Sequence, residues 1–325
     1  MRRRNAGNSR SASSETGTIA TASPSAARPY IGRFAPSPTG PLHFGSLLAA
    51  VASYLEARCR AGQWLLRVED IDPPREQPGA GDEILAALDA HGFEWDGPVT
   101  WQSASREAHE QAIETLLESG MAYPCACSRR DLAAAPRGPL GIIYPGTCRS
   151  GCEADEYALR VRTDALPVQF TDRLQGPRSQ ALEPESGDFV ILRRDGLIAY
   201  QLAVVVDDQL QGITDVVRGI DLLDSTPRQI WLQQLLGYRT PGYCHLPVAV
   251  NERSQKLSKS HGAAGVVLDE AAKNLFHALR LLGQQPPEEL RSASLSSLWG
   301  WAHEHWDISV LTGIEEIPAS PAELA

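Results

Sequence analysis

The amino-acid sequence predicts a doubly wound α/β fold interrupted by an inserted subdomain. Three observations carry that prediction. Between residues 29 and 122 short strand-like runs alternate with amphipathic helical stretches, in the order strand, helix, strand, helix. From Tyr123 to about Arg178 the rhythm breaks into a Pro/Gly-rich loop bearing cysteines, followed by short alternating strands. From 179 to 250 strands and helices resume. In such sheets ligands bind beyond the carboxyl ends of the strands.

The first element is also the most distinctive. Tyr30-Ile31 opens a β-branched and aromatic run, which Pro36 and Pro38 stiffen before the chain turns at Gly40-Pro41. That turn delivers His43 and Gly45 to the front of an alanine-rich helix, where Leu47, Leu48, Val51, Tyr54 and Leu55 share one face and Gly62 is the stop signal. A strand, a tight turn and a helix start make an anion site, because the first N–H groups of a helix lack internal partners. Trp64–Val68 reads as a buried strand ending in Glu69-Asp70-Ile71-Asp72, and helices are expected from about Gly81 to His91 and from Ser105 to Glu118.

Within the insertion, Tyr157–Arg162 and Val168–Asp172 alternate as strands. Phe189–Tyr200 reads as a hairpin turning at Asp195-Gly196. The apolar run Leu202–Val206 suits a central strand or a buried helix equally. A strand over Ile213–Arg218, a helix over Thr226–Leu236 and a strand over His245–Val250 lead to the polar loop Lys256-Leu257-Ser258-Lys259-Ser260. Two or three short helices are expected beyond Gly265.

Composition narrows the function. A hydrophobic fraction of 42% is ordinary for a water-soluble chain, and no run approaches the roughly 18 apolar residues of a membrane span. The net charge is −10, yet residues 1–28 carry five arginines and one glutamate, so the acidic body argues against a general polyanion binder. Six cysteines without an apolar leader point to a reducing cytoplasmic setting. Of 30 basic residues only Lys256, Lys259 and Lys273 are lysines. Chance and codon bias could leave such a pair, but a lysine pair among arginines also suits chemistry that needs a compact ammonium.

Cys125 and Cys127 can reach one ion, and Cys148 returns after a 20-residue loop. Three thiols in a Gly/Pro-rich segment with little core of its own favour a structural metal over buried free thiols. Cys152 is a possible further ligand, whereas Cys59 and Cys244 read as core residues.

Taken together, Arg33–Gly45, Arg67–Asp72, Val217–Asp221 and Lys256–Ser260 resemble the class I glutamyl-tRNA synthetases, in that family's order, over about residues 30–262. His43-Phe44-Gly45-Ser46, the paired cysteines with Tyr144–Cys148, and the few residues after the lysine loop match more closely the family's truncated branch, which acts on queuosine in tRNA(Asp). The resemblance implies a Rossmann-like catalytic domain with an inserted zinc subdomain and a short helical C-terminal part. Residues 1–28, rich in Ser, Ala, Thr and Arg, are expected to form a disordered tail. The boundaries that follow are catalytic halves over 29–122 and 179–250, the insertion over 123–178, and the lysine loop with a helical end and no anticodon-binding domain over 251–325.

The resemblance further implies a set of roles. L-Glutamate would lie against Arg33, Phe34, Ala35, Pro36 and Ser37, with Glu69 on its ammonium, Tyr200 as hydroxyl partner and Arg218 as the second carboxylate fork. ATP, with Mg²⁺ on its phosphates, would meet His43, Gly45, Lys256 and Lys259, of which His43 and Lys259 would be catalytic. One Zn²⁺ would take Cys125, Cys127, Cys148 and Tyr144, although Cys152 competes with Tyr144 on chemical grounds. The expected activity is tRNA-independent activation of glutamate, then its transfer to the queuosine cyclopentenediol of tRNA(Asp), by a cytoplasmic monomer. Plainer readings are a His43 that only caps its helix, an Arg33–Glu69 pair that only ties two strand ends, a shortened glutamyl-tRNA(Glu) synthetase, and a non-catalytic tRNA- or nucleotide-binding protein with the same fold.

Overall fold

Ile31–Phe34 forms the first strand (β1), buried from Gly32 to Phe34, with β-branched Ile31 and aromatic Phe34 at its ends. The computed structural model describes residues 28–138, 141–250 and 265–319. After β1 come α1 (Phe44–Arg58), β2 (Gln63–Val68), α2 (Ala80–Ala90), β3 (Thr100–Trp101), α3 (Arg106–Glu118) and β4 (Ala122–Cys125). The middle of the chain supplies β5 (Arg137–Gly138), β6 (Gly141–Ile142), β7 (Ala158–Val161), β8 (Pro167–Asp172), β9 (Gly176–Ala181), α4 (Leu182–Glu185) and β10 (Phe189–Leu192). Then follow α5 (Tyr200–Leu210), β11 (Asp215–Gly219), α6 (Thr226–Leu236), β12 (Gly242–Leu246), β13 (Val248–Val250), α7 (Ala271–Leu281), α8 (Leu295–His305) and β14 (Glu316–Pro318).

Two sheets build the centre, one parallel and one mixed, with β9 antiparallel at its edge. In one, β1 pairs with β2 from Ile31↔Gln63 to Phe34↔Leu66, and β2 pairs with β3. In the other, β11 pairs with β12 along its length and β12 meets β8 at Tyr243↔Asp172. The Thr214 N–H donates to the Ile31 carbonyl at 2.9 Å, which sets β11 beside β1. The order β3-β2-β1 against β11-β12-β8 therefore reverses between β1 and β11, the place where doubly wound sheets hold ligands.

The helix α1 is buried almost all round, with Leu47, Ala50, Val51 and Leu55 sealed between the sheet and α7 and α8. Tyr54, Trp64, Phe93 and Trp299 interlock edge and face, with centroids 5.0–5.4 Å apart, so the C-terminal helices belong to the first core. Gly62 is required where α1 hands over to β2, because a Cβ there would lie 2.5 Å from the Tyr30 carbonyl oxygen. On the other side α3, α5 and α6 enclose a second apolar core around Leu116, Ile191, Leu202 and Leu232.

The run Leu202–Val206, open between strand and helix, is helical, as part of α5. Other expectations need correction. The strand expected over His245–Val250 breaks at Pro247 into β12 and β13, since proline cannot donate to a ladder. Strand β9 crosses residue 178 and β8 joins the sheet of β12, so the segment drawn as an insertion shares backbone pairing with the second half. Cys59 is exposed at the end of α1 rather than buried in a core. Strand β14, which pairs with β13, was not foreseen. Among the described residues, no helix is long and apolar enough to cross a membrane.

Candidate active site

A cleft of about 680 Å³ opens at the carboxyl ends of β1, β2 and β11. Its described lining includes Arg33, Phe34, Ala35, Pro36, Ser37, His43, Gly45, Glu69, Tyr200 and Arg218, so one cavity gathers residues that are spread over 186 positions of sequence. Lys256 and Lys259 lie outside the described residues. The residues flanking that loop are at the cleft: Val248 and Ala249 line it, and Gly265 bridges to His43.

Alternating buried charges hold the β1 side. Arg33 is buried, and its Nε donates to Asp208 Oδ1 at 3.1 Å. Arg67, fully buried under the sheet, donates from Nη2 to Asp208 Oδ1 at 2.8 Å and to Glu69 Oε1 at 3.3 Å. Asp207 lies behind them, accepting from Gln102 Nε2 at 2.6 Å and facing His109 Nε2 at 2.9 Å. Burial pushes the Glu69 carboxyl up, against the pull of Arg67 and Arg33. Burial also acts on Asp208, but Arg33 and Arg67 outweigh it and hold that carboxyl below its ordinary range. The Glu69 N–H donates to the Pro36 carbonyl at 2.9 Å, which pins the end of β2 to the proline-stiffened turn. Arg33 thus pairs with Asp208 and Glu69 with Arg67, not with each other.

Arg218 ends β11 on the far wall. Its Nε donates to His245 Nε2 at 3.0 Å and its Nη2 to Thr226 Oγ1 at 2.8 Å. Its Nη1 is buried without a hydrogen-bond partner among the described residues. A buried cationic donor left unmatched is costly, and a carboxylate in the cleft would satisfy it. Tyr200, at the start of α5, faces the same space, and burial raises its hydroxyl pKa against the field of Arg218.

His43 is the N-cap of α1. Its Nδ1 accepts from the Ser46 N–H at 3.2 Å, so in the neutral ring the proton sits on Nε2, 3.0 Å from Ser46 Oγ. Capping uses Nδ1, and the single N–H, on Nε2, is directed at Ser46 Oγ, so a ligand in the cleft would take that hydrogen bond in place of the serine. Gly45 and Ser46 beside it bring the helix start to the cleft wall.

A second cluster lies in the middle segment. The thiols of Cys125, Cys127 and Cys148 all lie within 4.8 Å of one another. Tyr144 Oη is 3.3 Å from Cys125 Sγ, 3.7 Å from Cys127 Sγ, and accepts the Cys148 N–H at 2.8 Å. Cys152 is not in that group of three thiols. Gly187, at φ +62°, lets the chain pass so close to Tyr144 that a Cβ would meet its carbonyl oxygen at 2.4 Å. Arg160 lies 4.0 Å over the Tyr144 ring and donates to Cys125 Sγ at 3.2 Å. Burial acts to raise the Cys148 pKa, but hydrogen bonds from Tyr144, the Ala126 backbone and the other thiols bring it down to about 7. Three soft thiols with a phenol oxygen among them are a donor set that can hold a metal ion.

Sequence reasoning missed Arg67, Asp207 and Asp208 as site residues, and also Asp172 and His245 behind Arg218. Two adjacent acids closing an apolar run were the available signal for Asp207 and Asp208, once that run is a helix.

A doubly wound sheet with a helix start and two buried arginines at its switch point defines an α/β ligand-binding fold. The chain belongs to the tRNA synthetases class I (E and Q), whose catalytic-domain model matches residues 31–140 and 144–294. A glutamyl-Q tRNA(Asp) synthetase of Dechloromonas aromatica (strain RCB) is 57% identical over 283 residues, 86% of this chain and 94% of that protein. One from Aromatoleum aromaticum is 55% identical over 286 residues, 87% of this chain and 90% of its own. In fold, the chain is similar to the crystal structure of a glutamate tRNA ligase from Elizabethkingia meningosepticum in complex with its amino acid, with a TM-score of 0.76 at 24% identity, covering 91% of this chain and 68% of that one.

Proposed function

We propose that this protein activates L-glutamate with ATP, without tRNA, and transfers the glutamyl group to queuosine at the wobble position of tRNA(Asp). The observation that carries the activation step is the unmatched Arg218 Nη1, in the cleft that Arg33, Glu69 and His43 also line. Two arginine forks suit the two carboxylates of glutamate, and Glu69 suits its ammonium. The similarity to two glutamyl-Q tRNA(Asp) synthetases, over nearly their whole length, supports the choice of acceptor.

In this reading the α-carboxylate attacks the α-phosphorus of ATP and pyrophosphate leaves. His43 donates from Nε2 to phosphate oxygens as negative charge gathers, and the start of α1 adds its backbone dipoles. Lys256 and Lys259 supply further cations, and Mg²⁺ enters on the ATP phosphates. A hydroxyl of the cyclopentenediol then attacks the activated carbonyl and AMP leaves. Cys125, Cys127, Cys148 and Tyr144 hold one Zn²⁺, which cross-links a segment with a small core of its own. The protein acts as a cytoplasmic monomer.

The test is glutamate-dependent ATP–pyrophosphate exchange without tRNA, followed by glutamate incorporation into tRNA(Asp) with and without queuosine, and into tRNA(Glu). The reading expects exchange, and labelling only of queuosine-containing tRNA(Asp). Absence of exchange rules out the activation step. Labelling of tRNA(Glu) instead would make the chain a shortened glutamyl-tRNA(Glu) synthetase.

A further inference from the structure

We propose that Asp172 and His245 form a buried positioning pair that fixes the aim of Arg218 by holding His245 in one tautomer. The inference rests on the reading of Arg218 as a carboxylate fork. Neither residue lies in a sequence motif. They meet because β8 and β12 are neighbours, with Asp172 in register with Tyr243.

The hydrogen-bond inventory leaves one arrangement. Asp172 Oδ1 accepts from the backbone N–H groups of Leu174 at 3.0 Å and Gln175 at 2.9 Å, and Oδ2 accepts the His245 N–H at 3.1 Å. The same Oδ2 lies 2.6 Å from His245 Nδ1. A carboxylate is only an acceptor, so the imidazole proton sits on Nδ1. A neutral imidazole has a single N–H, so Nε2 offers a lone pair, which meets Arg218 Nε–H at 3.0 Å and the Thr226 hydroxyl at 3.2 Å. Both Asp172 and His245 are sealed from solvent. Burial, with Arg218 beside it, keeps His245 neutral, holding its pKa down to about 4 despite Asp172.

The consequence falls on the guanidinium. Its Nε is held by His245 and its Nη2 by Thr226 Oγ1, while the Tyr243 ring closes one face 5.4 Å from its central carbon. A planar fork fixed at two of its nitrogens has its third direction set as well. Nη1, the donor without a partner, is thereby aimed before any ligand arrives. Asp172 and His245 are positioning residues, because they act through Arg218.

The discriminating variant is Asp172→Asn in the full chain. An asparagine carbonyl still accepts from the turn, but its amide places an N–H against His245 Nδ1. That drives the imidazole proton to Nε2, where it faces Arg218 Nε–H. The expected result is a KM for glutamate about 10- to 100-fold higher with the KM for ATP within about twofold, together with a lower melting temperature, because the buried amide also faces the His245 backbone N–H. His245→Gln offers a carbonyl oxygen close to the Nε2 position, and is expected to return the glutamate KM to within about fivefold of wild type.

Side-chain ¹⁵N spectra read the tautomer directly, with the His245 signals assigned by their loss in His245→Gln. An Nδ1–H form in the wild type is expected, and an Nε2–H form would overturn the proposal even if Asp172→Asn fails to fold. A folded Asp172→Asn with unchanged glutamate KM, or with ATP and glutamate KM raised alike, would also overturn it. A wild type that shows no glutamate-dependent exchange refutes the functional reading instead, and the nitrogen spectrum still decides the pair.

Discussion

Arg33 and Arg67 converge on a single oxygen, Oδ1 of Asp208, at 3.1 and 2.8 Å. Arg33 lines the cleft, whereas Arg67 is fully buried behind it, so Asp208 couples the cleft wall to the interior. Asp208→Ala would leave two buried guanidinium groups short of their shared anion. The expected cost is about 3–5 kcal/mol of unfolding free energy, the range for breaking a buried ion pair from one side. Asp208→Asn keeps an acceptor and should recover part of that loss. Both variants should weaken glutamate binding, because Arg33 loses the contact that fixes its Nε. Urea unfolding and calorimetric glutamate titration measure the two effects; a stable, full-affinity Asp208→Ala would remove Asp208 from this role.

The His245 imidazole gives the fold an acid-sensitive element. Its neighbours are the Asp172 carboxylate, the Arg218 guanidinium, the Thr226 hydroxyl and the stacked Tyr243 ring. With a folded pKa of about 4 against an ordinary value near 6.5, the unfolded chain binds this proton first as the pH falls. Stability is therefore complete above about pH 6.5 and declines down to about pH 4, at roughly 1.4 kcal/mol per unit, or on the order of 3 kcal/mol in all. Asp172, held below the usual carboxylate range, adds its own loss only at lower pH. Urea midpoints between pH 4 and 8 should fall more steeply for the wild type than for His245→Gln. Parallel curves would exclude His245 as the source.

The legibility of this site in sequence depended on how far apart its partners lie. Arg33–Ser37, His43 and Glu69 sit at strand ends and a helix start punctuated by proline and glycine, and such local signals survive in one dimension. Asp172 and His245 are 73 positions apart and meet only through the adjacency of β8 and β12. No periodicity within either segment encodes that meeting. Asp207 and Asp208 were hidden by a different ambiguity, since five apolar residues fit a buried strand and a buried helix alike. Only the helical answer turns the two acids inward toward Arg67. Cys59 shows the opposite error: residue type predicted burial, but its place at the end of α1 left it exposed.

The choice between Tyr144 and Cys152 as fourth metal ligand has a clean test. Tyr144→Phe keeps the ring beneath Arg160 and removes only the oxygen that lies 3.3 and 3.7 Å from two of the thiols. Loss of outer partners of metal ligands typically lowers affinity 10- to 100-fold, so loss of a ligand should cost at least about tenfold. Chelator competition on the purified chain should therefore show weaker metal retention in Tyr144→Phe and unchanged retention in Cys152→Ala. Cys125→Ser and Cys148→Ser should lose the metal more severely, with faster amide exchange over residues 122–161. The reverse ranking of Tyr144→Phe and Cys152→Ala would transfer the role to Cys152.

In the proposed reading His43 has a structural and a chemical duty on separate nitrogens, and one substitution can part them. Asparagine is among the best N-caps and can accept the Ser46 N–H much as Nδ1 does now. His43→Asn should thus keep unfolding free energy within about 0.5 kcal/mol of the wild type. It has no donor where Nε2–H now stands, so pyrophosphate exchange should slow by about 10²- to 10³-fold, the usual consequence of removing one donor to developing negative charge. His43→Ala loses the cap as well and should add about 1 kcal/mol of destabilisation to the same kinetic defect. The pair of measurements decides between the two readings of this residue. If His43→Asn exchanges at the wild-type rate while His43→Ala is merely less stable, His43 is a cap alone, and the charge on the phosphate must be met by the start of α1 and the lysine loop.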